Sequence, residues 1–231
     1  MKVKIIILAL CAVQIATGFS VNDILEKAQQ LFNNVLNEAE TTLGSFENQS
    51  NEIFSNLLDD AKSKLNDLVP TIENEITKEF SDVANAAPKI QACLEAEKQN
   101  LSAIVDDAYK QVQTLTIKES LVTVPFVGKV NSTINDTKTY LKEVTSALEA
   151  CAKLSFLKSV SCSTKVISNS EDKAKSLLTN VQSEIEQGKQ VLNKVLPDVS
   201  ATITKIVQST EEKAEAIGTE IVQCVQTSLK A

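Results

Sequence analysis

The chain has 231 residues, a formal net charge of −7 at pH 7 and only 4% aromatic residues. It contains no His, Arg or Trp, and its single Met is the first residue. Without His, the sequence excludes a Ser–His–Asp triad, a Cys–His pair, an imidazole base and a His-ligated metal. An acidic chain without Arg also argues against nucleic acid and against anionic membrane surfaces as partners.

The first 18 residues, MKVKIIILALCAVQIATG, have the pattern of a secretory signal peptide. Lys2 and Lys4 precede an apolar core, and the small residues Ala16 and Gly18 are positioned for cleavage after Gly18. The alternative is an N-terminal membrane anchor, but the apolar run is too short to span a bilayer. No later stretch predicts a membrane span. We therefore expect a secreted, extracellular protein.

The mature chain, residues 19–231, has few Gly and Pro residues and no alternating apolar strands, which favours an all-α fold. Apolar residues recur with three- and four-residue spacing, as on amphipathic helices. We predict an elongated bundle of about six to seven such helices, with Gly44, Pro70, Pro88 and Pro197 at helix boundaries. The predicted helices cover residues 22–43, 51–68, 71–87, 89–118, 130–153, 169–196 and 197–229.

Two connections interrupt the helical pattern. Residues 121–128 are apolar and β-branched and contain Pro125 and Gly128, which predicts a tucked loop between two antiparallel helices. A short strand is the alternative, but it would lack partners. Residues 155–165 are rich in Ser and predict a polar, weakly helical hinge.

Four cysteines remain after cleavage of the signal peptide, namely Cys93, Cys151, Cys162 and Cys224. An even number in a secreted chain predicts two disulfides; a four-thiolate zinc site is the alternative, but no C-x2-C pair is present. We prefer the pairs Cys93–Cys151 and Cys162–Cys224, because each would join the open end of a predicted helical hairpin. The rival pairing, Cys151–Cys162 with Cys93–Cys224, stays open.

Four N-x-S/T sequons follow the predicted signal peptide, so that they are candidate N-glycosylation sites. Asn131 and Asn135 are four residues apart and are expected on one polar helix face, whereas Asn100 lies on the flank of an apolar stripe. None of the sequons has Pro in its middle position. The acceptor residues are Asn48, Asn100, Asn131 and Asn135.

An internal repeat is suggested by an offset of 127 residues. It aligns residues 65–78 with residues 192–205 and gives six identities in fourteen positions. Two interpretations stay open: an ancient duplication into halves 19–120 and 129–231, or chance similarity between helical segments of similar composition.

The four cysteines and their spacing, which includes one C-x10-C pair, resemble those of the insect secreted TsetseEP-type domain family and of insect haemolymph glycoproteins. The resemblance covers residues 93–224. The Glu-Pro repeats of the family's namesake are absent. Since the family has no agreed biochemical activity, the resemblance implies an extracellular insect protein of gut, haemolymph or glandular origin, without catalytic residues.

The residue inventory favours a protein that is not an enzyme, with no cofactor and no metal. Adjacent carboxylates point about 100° apart on a helix and do not converge on one substrate, so we interpret the following pairs as solvated faces: Asp59/Asp60, Asp106/Asp107 and Glu211/Glu212. The leading hypothesis is a structural or interaction module that binds an extracellular protein. The alternative is a carrier of lipid or another apolar ligand.

Overall fold

The structure is a computed structural model that describes residues 21–83 and 86–230. The predicted signal peptide and its cleavage site lie outside these residues. The described part of the chain forms four α-helices and one 3-10 turn and contains no strand, which confirms the all-α prediction. The helices are α1 (Val21–Glu79), α2 (Ala86–Ser120), α3 (Val124–Ala152) and α4 (Phe156–Lys230), and the 3-10 turn covers Leu121–Thr123.

The prediction of six to seven helices is wrong, because α1 and α4 continue through residues that were expected to end them. Pro70 lies inside α1, and Pro197 lies inside α4. A proline inside a helix costs about 3 kcal/mol. The buried residues nevertheless keep their helical spacing across both prolines. The buried residues Leu65 and Ile72 are seven positions apart. The same spacing separates two buried residues on either side of Pro197, Leu192 and Val199.

The two predicted connections are also helical. Residues 121–128 form the 3-10 turn and the start of α3, where Pro125 lies in the first turn and its missing N–H removes no intrahelical bond. Most of the Ser-rich segment 155–165 belongs to α4, which begins at Phe156. Only residues 153–155 separate α3 from α4.

The chain divides into two compact units. Unit 1 comprises the described part of Met1–Glu47 together with Val124–Lys189, and unit 2 comprises Asn48–Thr123 and the described part of Gln190–Ala231. Each unit therefore contains three helical segments, one from α1, one from α4 and one from α2 or α3. Both units draw residues from each of the halves proposed for the repeat, so that those halves do not coincide with the compact units.

In unit 1, the three segments pack around two apolar clusters. One cluster joins Phe32 of α1 to Leu148 of α3 and Ala174 of α4. The other joins Phe46 to Val130 and Ile185. Residue numbers rise from the first cluster to the second in α1 and α4 but fall in α3, so α3 is antiparallel to the other two segments. A glycine, Gly188, accommodates Phe46, because a Cβ at this position would lie 2.7 Å from Phe46 Cζ.

Unit 2 repeats this topology with α2 as the antiparallel segment. One cluster contains Phe54, Val112 and Val199, and the other contains Ile72, Ile90 and Ile221. A Cβ placed at Gly218 would lie 3.3 Å from Ile72 Cγ2. Ile72 thus packs against the backbone of α4 at Gly218.

Candidate interaction site

Each unit contains one disulfide. Cys151 and Cys162 are bonded in unit 1, with a Cα–Cα distance of 5.6 Å, and Cys93 and Cys224 are bonded in unit 2, with a Cα–Cα distance of 6.0 Å. The presence of two disulfides confirms the count predicted from the cysteines. The preferred pairs Cys93–Cys151 and Cys162–Cys224 are wrong, and the rival pairing is the one observed.

The physical reason for the wrong pairing lies in α4. The pair Cys162–Cys224 required a hairpin about Pro197, whose two arms would bring the cysteines together. Because α4 runs through Pro197 without a turn, Cys162 and Cys224 lie on one continuous helix and cannot meet. Cys162 instead bonds to Cys151, which occupies the last turn of the preceding helix.

The Cys151–Cys162 bond closes a short hairpin, residues 151–162, which we call the disulfide hairpin. Its backbone is ordered by local hydrogen bonds at both helix ends. Leu154 N–H donates to Cys151 O at 3.1 Å, and Ser159 N–H donates to Ser155 O at 2.8 Å. Eleven positions separate the cysteines, so the covalent link and the helix ends together leave this turn little freedom.

The side chains of the disulfide hairpin have an inverted arrangement. Leu154, Phe156 and Leu157 are 46%, 73% and 79% exposed. One and two turns further along α4, Ser159 and Ser163 are 7% and 0% exposed. An amphipathic helix normally buries its large apolar side chains and exposes its small polar ones. Here the large apolar residues face solvent, and serines occupy the core positions.

The hydroxyl of Ser163 makes this inversion costly. Among the described residues, Ser163 Oγ is the buried side-chain polar atom that has no hydrogen-bond partner. Ser170, two turns later and equally buried, donates its hydroxyl to Val166 O at 2.7 Å. An unpaired buried hydroxyl costs about 1–3 kcal/mol. The start of α4 is therefore stabilised less by its own core than the rest of the helix.

The disulfide hairpin is locally basic on an acidic chain. Residues 150–165 contain three lysines, Lys153, Lys158 and Lys165, and no Asp or Glu, which gives a local charge of +3. All three lysines are exposed. The nearest acidic residues in the sequence are Glu149 and Glu171. The exposed apolar side chains are thus flanked by cationic ones.

The four sequon asparagines lie on helix surfaces. Asn48 is exposed on α1, Asn100 on α2, and Asn131 and Asn135 on α3. Asn100 Nδ2 donates to Glu97 Oε2 at 2.6 Å, whereas Ser50 of the first sequon is buried. These positions leave room for a glycan, and glycosylation stays a prediction.

Other features of the described surface do not assemble a site for chemistry. In residues 21–83 and 86–230, no group of three or more His, Cys, Asp or Glu side chains could hold a metal ion. None of the helices in that part of the chain has the length and hydropathy needed to cross a membrane. A depression of about 260 Å³ in unit 2 is lined mainly by polar side chains, among them Asp107, Lys205 and Lys213.

Comparison of the chain with protein-family models, with curated proteins and with solved structures finds no match.

The disulfide hairpin is the candidate interaction site, and the sequence interpretation missed it. Residues 155–165 were interpreted as a polar hinge because of their serines. Part of the signal was present in the helical spacing, because Ser159, Ser163 and Ser170 follow the four- and seven-residue spacing of the buried positions of α4 and Leu157 lies outside that stripe. Phe156 lies seven positions before Ser163, on the same stripe, and is nevertheless 73% exposed.

Proposed function

We propose that the protein is a secreted, non-enzymatic extracellular glycoprotein that acts as an interaction module and binds its partner through the disulfide hairpin. The observation that carries this proposal is the inverted first turns of α4, where Phe156 and Leu157 are exposed while Ser159 and Ser163 are buried. Positions that break the local rules of folding are those at which function is expected to oppose stability. A resemblance to the TsetseEP-type family accords with this role and remains part of the proposal.

The extracellular part of the proposal is supported by chemistry. Disulfides form and persist in oxidising compartments, and two are present. The exposed asparagines of the four sequons accord with glycosylation in the secretory pathway. The signal-peptide pattern of the first 18 residues would direct the chain into the secretory pathway.

The alternative function, a carrier of lipid or another apolar ligand, needs apolar faces that can open. Most large apolar side chains of α1 to α4 are instead packed in four clusters, two in each unit. In each unit a disulfide joins α4 to an antiparallel segment and opposes its separation. A depression of unit 1 is lined by polar side chains with the exception of Leu141.

The presence or absence of lipid bound to the secreted protein distinguishes the two functions. We expect the full chain, purified from the medium of eukaryotic cells without detergent, to release no stoichiometric lipid on organic extraction. Added fatty acid should leave the melting temperature unchanged, since a ligand that binds only the folded state must raise it by mass action. One lipid molecule per chain, with a melting temperature that rises with lipid concentration, would make the carrier the better account.

The location of the binding surface is tested by photo-crosslinking in the native fluid. A crosslinking residue at Leu157 is compared with one at Ile117 of unit 2, which is also apolar and is 58% exposed. We expect products at Leu157 that are absent at Ile117. The same products from both positions would show that the disulfide hairpin is not the binding surface.

A further inference from the structure

We propose that the disulfide hairpin docks on the surface of a phospholipid bilayer with anionic headgroups, with Leu154, Phe156 and Leu157 in the interfacial layer and the flanking lysines at the headgroups. This inference rests on the proposed function as an interaction module and names the chemistry of the partner. It implies a peripheral contact and no membrane-spanning segment.

The size of the apolar surface favours a bilayer over a protein partner. With about 200 Å² for a complete aromatic side chain and somewhat less for leucine, the three exposed side chains present roughly 350 Å² of surface. A specific protein interface buries about 800 Å² on each partner. The same deficit argues against a second copy of this chain. The interfacial layer of a bilayer requires no shape complementarity, so three protruding apolar side chains suffice for a contact.

The charge of the hairpin favours an anionic surface. Lys153 and Lys158 directly flank the segment Leu154–Leu157, Lys165 follows one turn beyond Cys162, and residues 150–170 contain no carboxylate side chain. Exposed lysines beside apolar residues place their ammonium groups at the headgroups while their stems cover apolar surface. The sequence argued against anionic membranes on the charge of the whole chain. The local charge of the hairpin is opposite in sign.

The covalent structure of the hairpin prepares it for docking. The Cys151–Cys162 bond and the hydrogen bonds at both helix ends fix the backbone that carries the exposed side chains before any contact forms. Binding then orders few additional groups, which lowers its entropic cost. Because Ser159 and Ser163 already face inward, docking requires no rotation of α4.

The absence of Trp from the chain gives a direct test with a single fluorophore. Phe156→Trp is compared with Ile117→Trp in the full chain, because both positions are exposed and apolar. Vesicles consist of phosphatidylcholine alone or with phosphatidylserine. We expect the emission of Phe156→Trp to shift to shorter wavelength with phosphatidylserine vesicles only, and lipids brominated near the headgroup to quench it. The emission of Ile117→Trp should not change.

The lysines are tested in the Phe156→Trp background by the pair Lys153→Gln and Lys158→Gln. Each lysine near an anionic surface contributes about a 5-fold increase in vesicle partitioning, so the pair should lose about 25-fold. The control pair is Lys194→Gln and Lys205→Gln, which removes the same charge from exposed positions of unit 2 and should leave partitioning unchanged. Circular dichroism checks that every variant keeps its helicity.

Three results would overturn the proposal: no spectral shift with either vesicle, equal shifts at positions 156 and 117, or a shift that appears without vesicles as the protein is concentrated. The last result would place a second copy of the chain on the hairpin. A negative vesicle result together with specific crosslinks at Leu157 would reject the lipid surface and retain the interaction module, so the two proposals fail separately.

Discussion

The two disulfides lie in three-helix units of the same topology, yet the residues around them differ. Around Cys93–Cys224 in unit 2, large apolar side chains face inward, among them Ile72, Phe80 and Ile221. Beside Cys151–Cys162 in unit 1, Ser159 and Ser163 face inward and Phe156 and Leu157 face solvent. Unit 2 combines its disulfide with a packed core. Unit 1 has its disulfide where the core is weak, and Phe156 and Leu157 are left exposed beside it.

The largest expected effect on stability comes from removal of the unit 2 disulfide. Replacing Cys93 and Cys224 together by serine removes a link between residues 131 positions apart. In the chain-entropy model, this link contributes about 5 kcal/mol to the free energy of unfolding. Urea denaturation of the double variant should show this loss. An unchanged urea midpoint would contradict the comparison.

Truncation of an apolar residue near each disulfide should also lower the free energy of unfolding more in unit 2 than in unit 1. Ile221 is fully buried in unit 2, so Ile221→Ala should lower the free energy of unfolding by about 2–5 kcal/mol. Leu157→Ala is the matched control, since the leucine is 79% exposed and its truncation should change stability by less than about 0.5 kcal/mol. Equal losses in thermal or urea unfolding would show that Leu157 belongs to the core.

The unit 1 disulfide should contribute less than that of unit 2. Cys151 and Cys162 are 11 positions apart, for which the chain-entropy model gives about 3 kcal/mol. Their joint replacement by serine should lower the urea midpoint, and the loss should be smaller than that for Cys93 and Cys224. A reversed order of the two losses would show that loop length does not govern them.

The smallest expected effect is a gain of stability. Ser163→Ala removes a buried hydroxyl that has no partner, so the free energy of unfolding should rise by about 1 kcal/mol. Ser170→Ala is the control, because its equally buried hydroxyl donates to Val166 O and its loss should give no gain. If both variants respond alike in thermal unfolding, the hydroxyl of Ser163 has a partner in solution.

The sequence predicted the helical class and the number of disulfides, because the 3.6-residue periodicity and the even cysteine count are local signals. Helix boundaries were wrong where a local preference opposed burial. At Pro70 and Pro197, the continuous apolar stripe outweighs the proline cost. At Gly44, the buried residues Leu43 and Phe46 continue the stripe. The disulfide pairing followed from those boundaries and was wrong for the same reason.

The candidate site depended on information that local propensity does not contain. The serines of residues 155–165 suggested a polar hinge, whereas their helical phase places Ser159 and Ser163 inside. Only the packing of α4 in unit 1 shows that Phe156, which lies on the same helix face as Ser163, is left exposed. The net charge of the chain likewise concealed the local excess of lysine.

Peptide mapping without reduction tests the account most directly, since the hairpin exists only if Cys151 is bonded to Cys162. Trypsin cleaves after Lys153 and Lys158 and should release residues 154–158 as a free peptide. Residues 143–153 should then remain linked to residues 159–165, and residues 90–98 to residues 214–230. A link between residues 90–98 and residues 143–153 would contradict the account, because it would pair Cys93 with Cys151 and leave no closed hairpin.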